Sequence, residues 1–305
     1  MNPFKQLIGQ PQAVELLTQS VIKNRVAPAY LFIGAPGIGK RLGAKCFIEL
    51  IFNNANQCQN IINHPDLLWV KPIYQDQGQV ITVTEATAKG LKYKVPPAIR
   101  LEQIRGIIKF LSHPPLKAHR QVVVISNAEK ILEGAANALL KVLEEPGKAT
   151  IILTAPSPDL ILPTLVSRCH YIPFYRLNIT AMAQVLKQTG NQEILQHPMI
   201  LNISAGSPGE AITYYKKLQS ISSELLSEVT KMPYNHLQAL EMAKQISRNL
   251  DIEVQLWLID YLQQFYWRQG CKRIIIQNLE QARNSLLCHA QPRLVWECAF
   301  LKMLI

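Results

Sequence analysis

No stretch of this 305-residue chain approaches the roughly 18 continuous apolar residues that a membrane helix requires, so no membrane contact is expected. The opening MNPFKQLIGQPQ lacks the charged, apolar and small-residue sections of a signal peptide. Six cysteines (Cys46, Cys58, Cys169, Cys271, Cys288 and Cys298) include no C-x-x-C pair and fall far short of a disulfide scaffold. They read as reduced thiols, and a cytoplasmic setting is expected. Internal repeats and low-complexity tracts are absent as well. These absences exclude the membrane, disulfide-rich and fibrous classes. What remains is a chain 48% apolar, long enough to bury two or three cores.

Charge is not lacking, but it is uneven. Residues 1–175 carry 19 Lys and Arg against 11 Asp and Glu, and residues 176–305 carry 13 against 10, for a net charge of +11. A basic first half is compatible with a phosphate backbone or an acidic partner. Such a surplus also occurs in soluble proteins that touch no nucleic acid.

Apolar runs and helical patterns alternate through the first 170 residues. AYLFIG (29–34), DLLWVKP (66–72), RQVVVIS (120–126) and ATIILTA (149–155) read as strands. KRLGAKCFIELIF (40–52), EQIRGIIKFLSH (102–113) and EGAANALLKVLEE (133–145) read as helices, the last stopped by Pro146-Gly147. This alternation predicts a parallel sheet covered on both faces. Residues 73–100 break the rhythm and are expected to form an irregular excursion with some hairpin. After about residue 175 only helical patterns remain. Trp257, Tyr261 and Phe265 recur every four positions, which predicts the buried face of one helix rather than a ligand groove.

GAPGIGKR (34–41) follows a buried strand and opens a helix, the context that makes a phosphate loop credible. Gly34, Gly37 and Gly39 let backbone N–H groups curve around a phosphate, and Lys40 supplies a point charge. The next position should be Ser or Thr, whose hydroxyl helps hold Mg²⁺. It is Arg41, which cannot ligate a metal and repels one. Carboxylates that hold the metal and activate water belong at the end of a β-branched strand. After QVVVI (121–125) stand Ser126 and Asn127, and Glu129 is expected to point away from the strand's tip. Two independent losses predict a chain that hydrolyses no ATP by itself.

The order GAPGIGK, VVVISNAEK, AANALLKVLEEPG, TIILTAPSPDLILPTLVSRC, SAGSPGEA resembles clamp-loader subunits of the AAA+ superfamily, most of all the delta-prime type of bacterial DNA polymerase III. The likeness covers roughly residues 4–211 and is most specific in 135–147 and in LVSRC (165–169). LIGQPQAVELL (7–17) and NHPDLLWVKP (63–72) are similar to the family's opening helix and its His-Pro-Asp segment. The resemblance implies an AAA+ α/β domain over 1–175, a small helical lid over 176–215 and an all-helical collar over 216–305. It further implies a non-catalytic subunit in which Arg168, flanked by Ser167 and Cys169, reaches ATP on a neighbouring gamma or tau subunit. Gamma/tau and delta would be its partners, and the sliding clamp and primed DNA would be met through the complex. Thr154 matches the position where a polar side chain reads a γ-phosphate. In a subunit without hydrolysis it would only hydrogen-bond locally, and both readings stay open. Gly209 stands where active members carry an arginine, a third departure from an ATPase.

Many delta-prime relatives hold zinc between the phosphate-loop helix and the His-Pro-Asp segment. Here Cys46, Cys58 and His64 are scattered where tetrahedral zinc needs four ligands, usually with a tight knuckle. No zinc and no required cofactor are expected, and retention of ATP or ADP without turnover is left open. His64 is expected to hydrogen-bond backbone near Pro65. Two competing readings are an ATP-hydrolysing subunit of the gamma/tau type and a P-loop kinase or transferase. Both require acidic metal ligands near 126–127.

Overall fold

Strands form where β-branched and apolar residues run together, and helices where the apolar residues fall three and four apart. In a computed structural model, which describes residues 3–52, 61–76, 79–82, 85–86, 95–270 and 273–304, these elements fall into two units, Met1–Ala181 and Met182–Ile305.

The first unit holds a parallel sheet of five strands: β1 (Ala29–Ile33), β2 (Leu67–Val70), β5 (Gln121–Ile125), β6 (Ala149–Ala155) and β7 (His170–Pro173), in the order β2-β5-β6-β1-β7. Between β2 and β5 in sequence, β3 (Ile73–Asp76) and β4 (Gln79–Thr82) pair as an antiparallel hairpin. This is the hairpin expected in the 73–100 excursion, much of which lies outside the described residues. Strands β1, β5 and β6 are buried along their whole length, as a sheet covered on both faces requires.

Alternate residues of these strands point to opposite faces. Leu31, Val123, Ile125, Ile151 and Leu153 share a core with Ile104 and Ile107 of α3 (Leu101–Leu111) and with Ala135, Ala136 and Leu139 of α4 (Glu133–Glu144). On the other face, the Tyr30 ring meets Phe47 of α2 (Lys40–Ile51) edge-on at 5.0 Å, and Phe32 meets Phe174 at 5.3 Å. Helix α1 (Pro11–Ile22) packs against α2. A short helix, α5 (Pro163–Val166), leads into β7.

The chain between the units is α6 (Ile179–Gln188). Among the described residues the regular elements of the second unit are all helical: α7 (Pro198–Ser204), α8 (Pro208–Gln219), α9 (Ser223–Val229), α10 (His236–Asn249), α11 (Ile252–Arg268), α12 (Arg273–Leu287) and α13 (Pro292–Met303). Several starts are capped by side chains that accept from an orphan backbone N–H. Ser207 accepts from Glu210 N at 3.3 Å, Asn235 from Gln238 N at 2.8 Å and Asp251 from Val254 N at 2.9 Å. The aromatic stripe of α11 faces inward at Trp257 and Tyr261, both buried, while Phe265 is half-buried. The core also carries polar pairing: Trp296 Nε1 donates to Gln255 Oε1 at 3.0 Å, and Gln255 Nε2 donates to the Leu250 carbonyl at 2.8 Å. Among the described residues, no helix is long and apolar enough to cross a membrane.

Candidate functional site

In a parallel sheet the loops that follow the strands gather along one edge. Here that edge collects the loop after β1, the end of β2, Ser126 and Asn127 after β5, and Thr154 near the end of β6. Gly34, Gly37 and Gly39 have φ of 152°, 75° and 103°, which a side chain would strain. At Gly34 an added Cβ would also run into the Phe174 carbonyl oxygen. The loop is tied to its surroundings on both sides. Gly34 N donates to the Ala155 carbonyl at 3.2 Å, and buried Gln10 grips Tyr175 through N–H···O bonds of 2.9 and 2.7 Å while its Nε2 also reaches the Ile38 carbonyl. Lys40 Nζ turns onto the loop's own carbonyls, donating to Gly34 and, at 2.7 Å, to Ala35.

The two positions where a metal would be held are joined by an intervening side chain. The Arg41 guanidinium lies over the Trp69 ring, 5.2 Å from its centroid, and Trp69 Nε1 donates to Ser126 Oγ at 2.8 Å. Burial lowers the pKa of Lys71 below the ordinary lysine range, and the charge of Arg41 lowers it further. The side chains at 41, 69, 71 and 126 themselves offer a divalent cation two cations, an indole and a hydroxyl, and no carboxylate. That donor set does not fit Mg²⁺, which takes oxygen ligands with carboxylates or phosphates among them. Glu129 differs from expectation, because a 3₁₀ turn over Ala128–Lys130 brings it back so that its Oε1 accepts from Asn127 Nδ2 at 3.1 Å. Asn127 is left-handed, with φ 56°, and its N–H donates to Thr154 Oγ1 at 3.2 Å. The Thr154 hydroxyl therefore holds the end of β5.

Arg168 lies at the opposite edge. His170 pairs with Tyr30, and Gly34 is four residues further along that strand, about 13 Å away in the strand direction. Arg168 precedes His170 by two more residues. Its Nη2 donates to Glu144 Oε1 at 2.8 Å and its Nη1 to the Thr164 carbonyl at 3.1 Å. Ser167 Oγ also donates to the Thr164 carbonyl. Cys169 packs against the sheet core, and burial pushes its thiol up to about 12. It anchors the turn, and its raised pKa disfavours the thiolate.

Cys46 is buried, whereas Cys169 is half-buried. Desolvation, followed by the Glu49 charge, pushes the Cys46 thiol up to about 11. The His64 ring lies 4.4 Å from that of Phe52, and its Nδ1 accepts from Asp66 N at 3.1 Å. Cys58 lies outside the described residues. Among those described, no three His, Cys, Asp or Glu side chains are grouped as metal ligands would be.

Comparison with known proteins bears on both units. The family described as "DNA polymerase III, delta subunit" matches residues 9–178, and that described as "Cyanobacterial DNA polymerase III delta prime, C-terminal domain" matches residues 180–303. The chain belongs to the delta-prime family of DNA polymerase III. Delta-prime of Bacillus subtilis is 32% identical over 185 residues, covering 57% of this chain and 50% of that one. Delta-prime of Pseudomonas aeruginosa is 29% identical, covering 60% and 54%. The gamma/tau subunit of Mycobacterium tuberculosis H37Rv is 23% identical, covering 70% and 37%. The chain thus spans about half the length of the delta-prime relatives it matches. Among solved structures, a gamma subunit-related protein of Thermotoga maritima superposes with a TM-score of 0.51 at 18% identity, over 96% of this chain and 98% of that one. This likeness shows the fold alone.

Gly209 falls in the first turn of α8, behind the Ser207 cap and the left-handed Ala205 and Gly206. Three side chains at the two edges were not singled out in the sequence: Gln10, Trp69 and Glu144. Glu144 stood inside the most specific motif, but its partner is 24 residues away. Trp69 read only as a strand residue, and Gln10 only as part of an opening helix.

Proposed function

We propose that this chain is the non-catalytic, stator-like subunit of a clamp-loader complex. In that role it lends Arg168 in trans to ATP held by a neighbouring gamma or tau subunit. ATP-dependent loading of the sliding clamp onto primed DNA would then depend on how the subunits are assembled. The observation that carries this reading is the separation of Arg168 from the chain's own phosphate loop, at opposite edges of one parallel sheet. An arginine so placed serves a phosphate that another chain brings. A guanidinium suits the task, being permanently charged and presenting a planar fork to phosphate oxygens.

The contacts at the other edge support the absence of hydrolysis by this chain. Arg41, Trp69 and Ser126 engage one another where a metal ion and its carboxylates would be needed, so the reading requires no cofactor of this chain's own. The alternative, an ATP-hydrolysing subunit of the gamma/tau type, would need a hydroxyl at position 41 and a carboxylate at 126 or 127.

The test is ATP turnover by the chain alone and by the complex assembled with gamma or tau, with and without Arg168→Ala. No turnover alone is expected, and the variant should slow the site it faces by about 10³-fold without disturbing assembly. Arg168→Lys should recover only part of the rate, since an ammonium lacks the fork. Turnover by the chain alone, or a complex indifferent to Arg168→Ala, would overturn the proposal.

A further inference from the structure

Arg168 is held in place by a partner from another element. We propose that Glu144 is its positioning residue, fixing the direction in which the guanidinium is offered; this rests on the reading of Arg168 as a trans finger. Helix α4 starts beyond the loop-bearing edge of the sheet and runs back for eleven steps, about 17 Å. Its last residue, Glu144, thereby arrives at the edge where Arg168 lies. Both backbones are fixed by packing: Val142 and Leu143 on one side and Leu165, Val166 and Cys169 on the other belong to the same core. The Pro146–Gly147 turn, with Gly147 at φ 58°, closes the end of the helix.

Stability does not explain the pair. Arg168 is 39% and Glu144 52% exposed, and exposed ion pairs contribute little to folding. A carboxylate in the last turn of a helix also faces the negative end of the macrodipole, where a cation would be favoured. What the pair does achieve is geometric. Glu144 Oε1 and the Thr164 carbonyl take one N–H from each terminal nitrogen. Among the described residues one N–H on each of the three guanidinium nitrogens is left without a hydrogen-bond partner, and the two bonds fix the orientation of the plane in which all three lie. A free arginine would have to order its flexible side chain each time it met phosphate.

The experiment uses the assembled complex with Glu144→Ala, Glu144→Gln, Arg168→Ala and the Glu144→Ala/Arg168→Ala double variant. For each, kcat and KM for ATP are measured beside assembly by size-exclusion chromatography. Glu144→Ala is expected to lower kcat about tenfold with KM and assembly unchanged. Glu144→Gln, which keeps the accepting oxygen, should recover most of that loss. The double variant should be no slower than Arg168→Ala, because Glu144 acts only through the arginine. If Glu144→Ala leaves kcat unchanged or raises it while Arg168→Ala slows turnover, Glu144 is not a positioning residue and the finger reading stands. A loss in the double variant beyond that of Arg168→Ala would also overturn the proposal. If Arg168→Ala itself has no effect, the finger reading falls and takes this one with it.

Discussion

At the scale of single residues, burial separates the thiols more sharply than their positions in the chain do. Cys46 is buried and Cys169 half-buried, and burial pushes their thiols up to about 11 and about 12. Cys288 and Cys298 are exposed. Since the thiolate is the reacting form, native protein treated with iodoacetamide at pH 8 should be modified at Cys288 and Cys298 well before Cys46 and Cys169. Peptide mass mapping over time would show it, and early modification of Cys169 would contradict its role as a packed anchor. Arg168 was legible in the sequence because Ser-Arg-Cys is a local motif. Glu144 and Trp69 were not, because each acquires its meaning from a side chain far along the chain. Nothing within five residues of Trp69 announces Arg41 or Ser126.

At the scale of elements, Asp66 shows how one carboxylate can join a strand to a loop. It is 1% exposed and accepts from the N–H groups of Leu116, Lys117 and Ala118 at 2.6, 2.7 and 2.7 Å. Burial alone would raise its pKa. The three backbone donors, helped by His64, outweigh that and hold it below the ordinary aspartate range. A carboxyl whose pKa is lowered on folding contributes stability above its unfolded value. That contribution is lost as pH falls from there through the folded value. Asp66→Asn should therefore cost on the order of 3 kcal/mol at pH 7, through lost charge-assisted bonds and stranded donors. The gap from the unmodified chain should narrow as pH drops below about 4. Urea unfolding midpoints across that range measure it, and a gap independent of pH would contradict the assignment. The elements themselves were largely readable. Helices at 40–51 and 133–144 and strands at 121–125 and 149–155 lie where periodicity, β-branching and Pro-Gly stops put them. Strand order was not readable, because period and propensity say which residues face a partner but never which partner.

At the scale of the whole molecule, the loop of residues 34–41 and Arg168 lie at opposite edges of one sheet, and the role proposed for Arg168 predicts that their substitutions separate. Lys40→Ala alters a side chain bonded to its own loop, about 13 Å along the strand direction from the level of His170. It should leave ATP turnover by the neighbouring subunit within about twofold of the parent, whereas Arg168→Ala should not. Steady-state turnover of the two assembled variants decides this, and a large loss on Lys40→Ala would mean that the loop still holds something the complex uses. The absence of hydroxyl and carboxylate at 41, 126 and 127, the alternating strands and helices, the helical remainder and the Ser-Arg-Cys motif can all be read in chain order, because each depends on neighbours in the chain. The Arg41–Trp69–Ser126 contact, the Glu144–Arg168 pair and the distance of Arg168 from its own phosphate loop became visible only in the folded chain. Each joins residues 24 or more positions apart, and such distances are set by the order in which parallel strands pack, which no local pattern encodes.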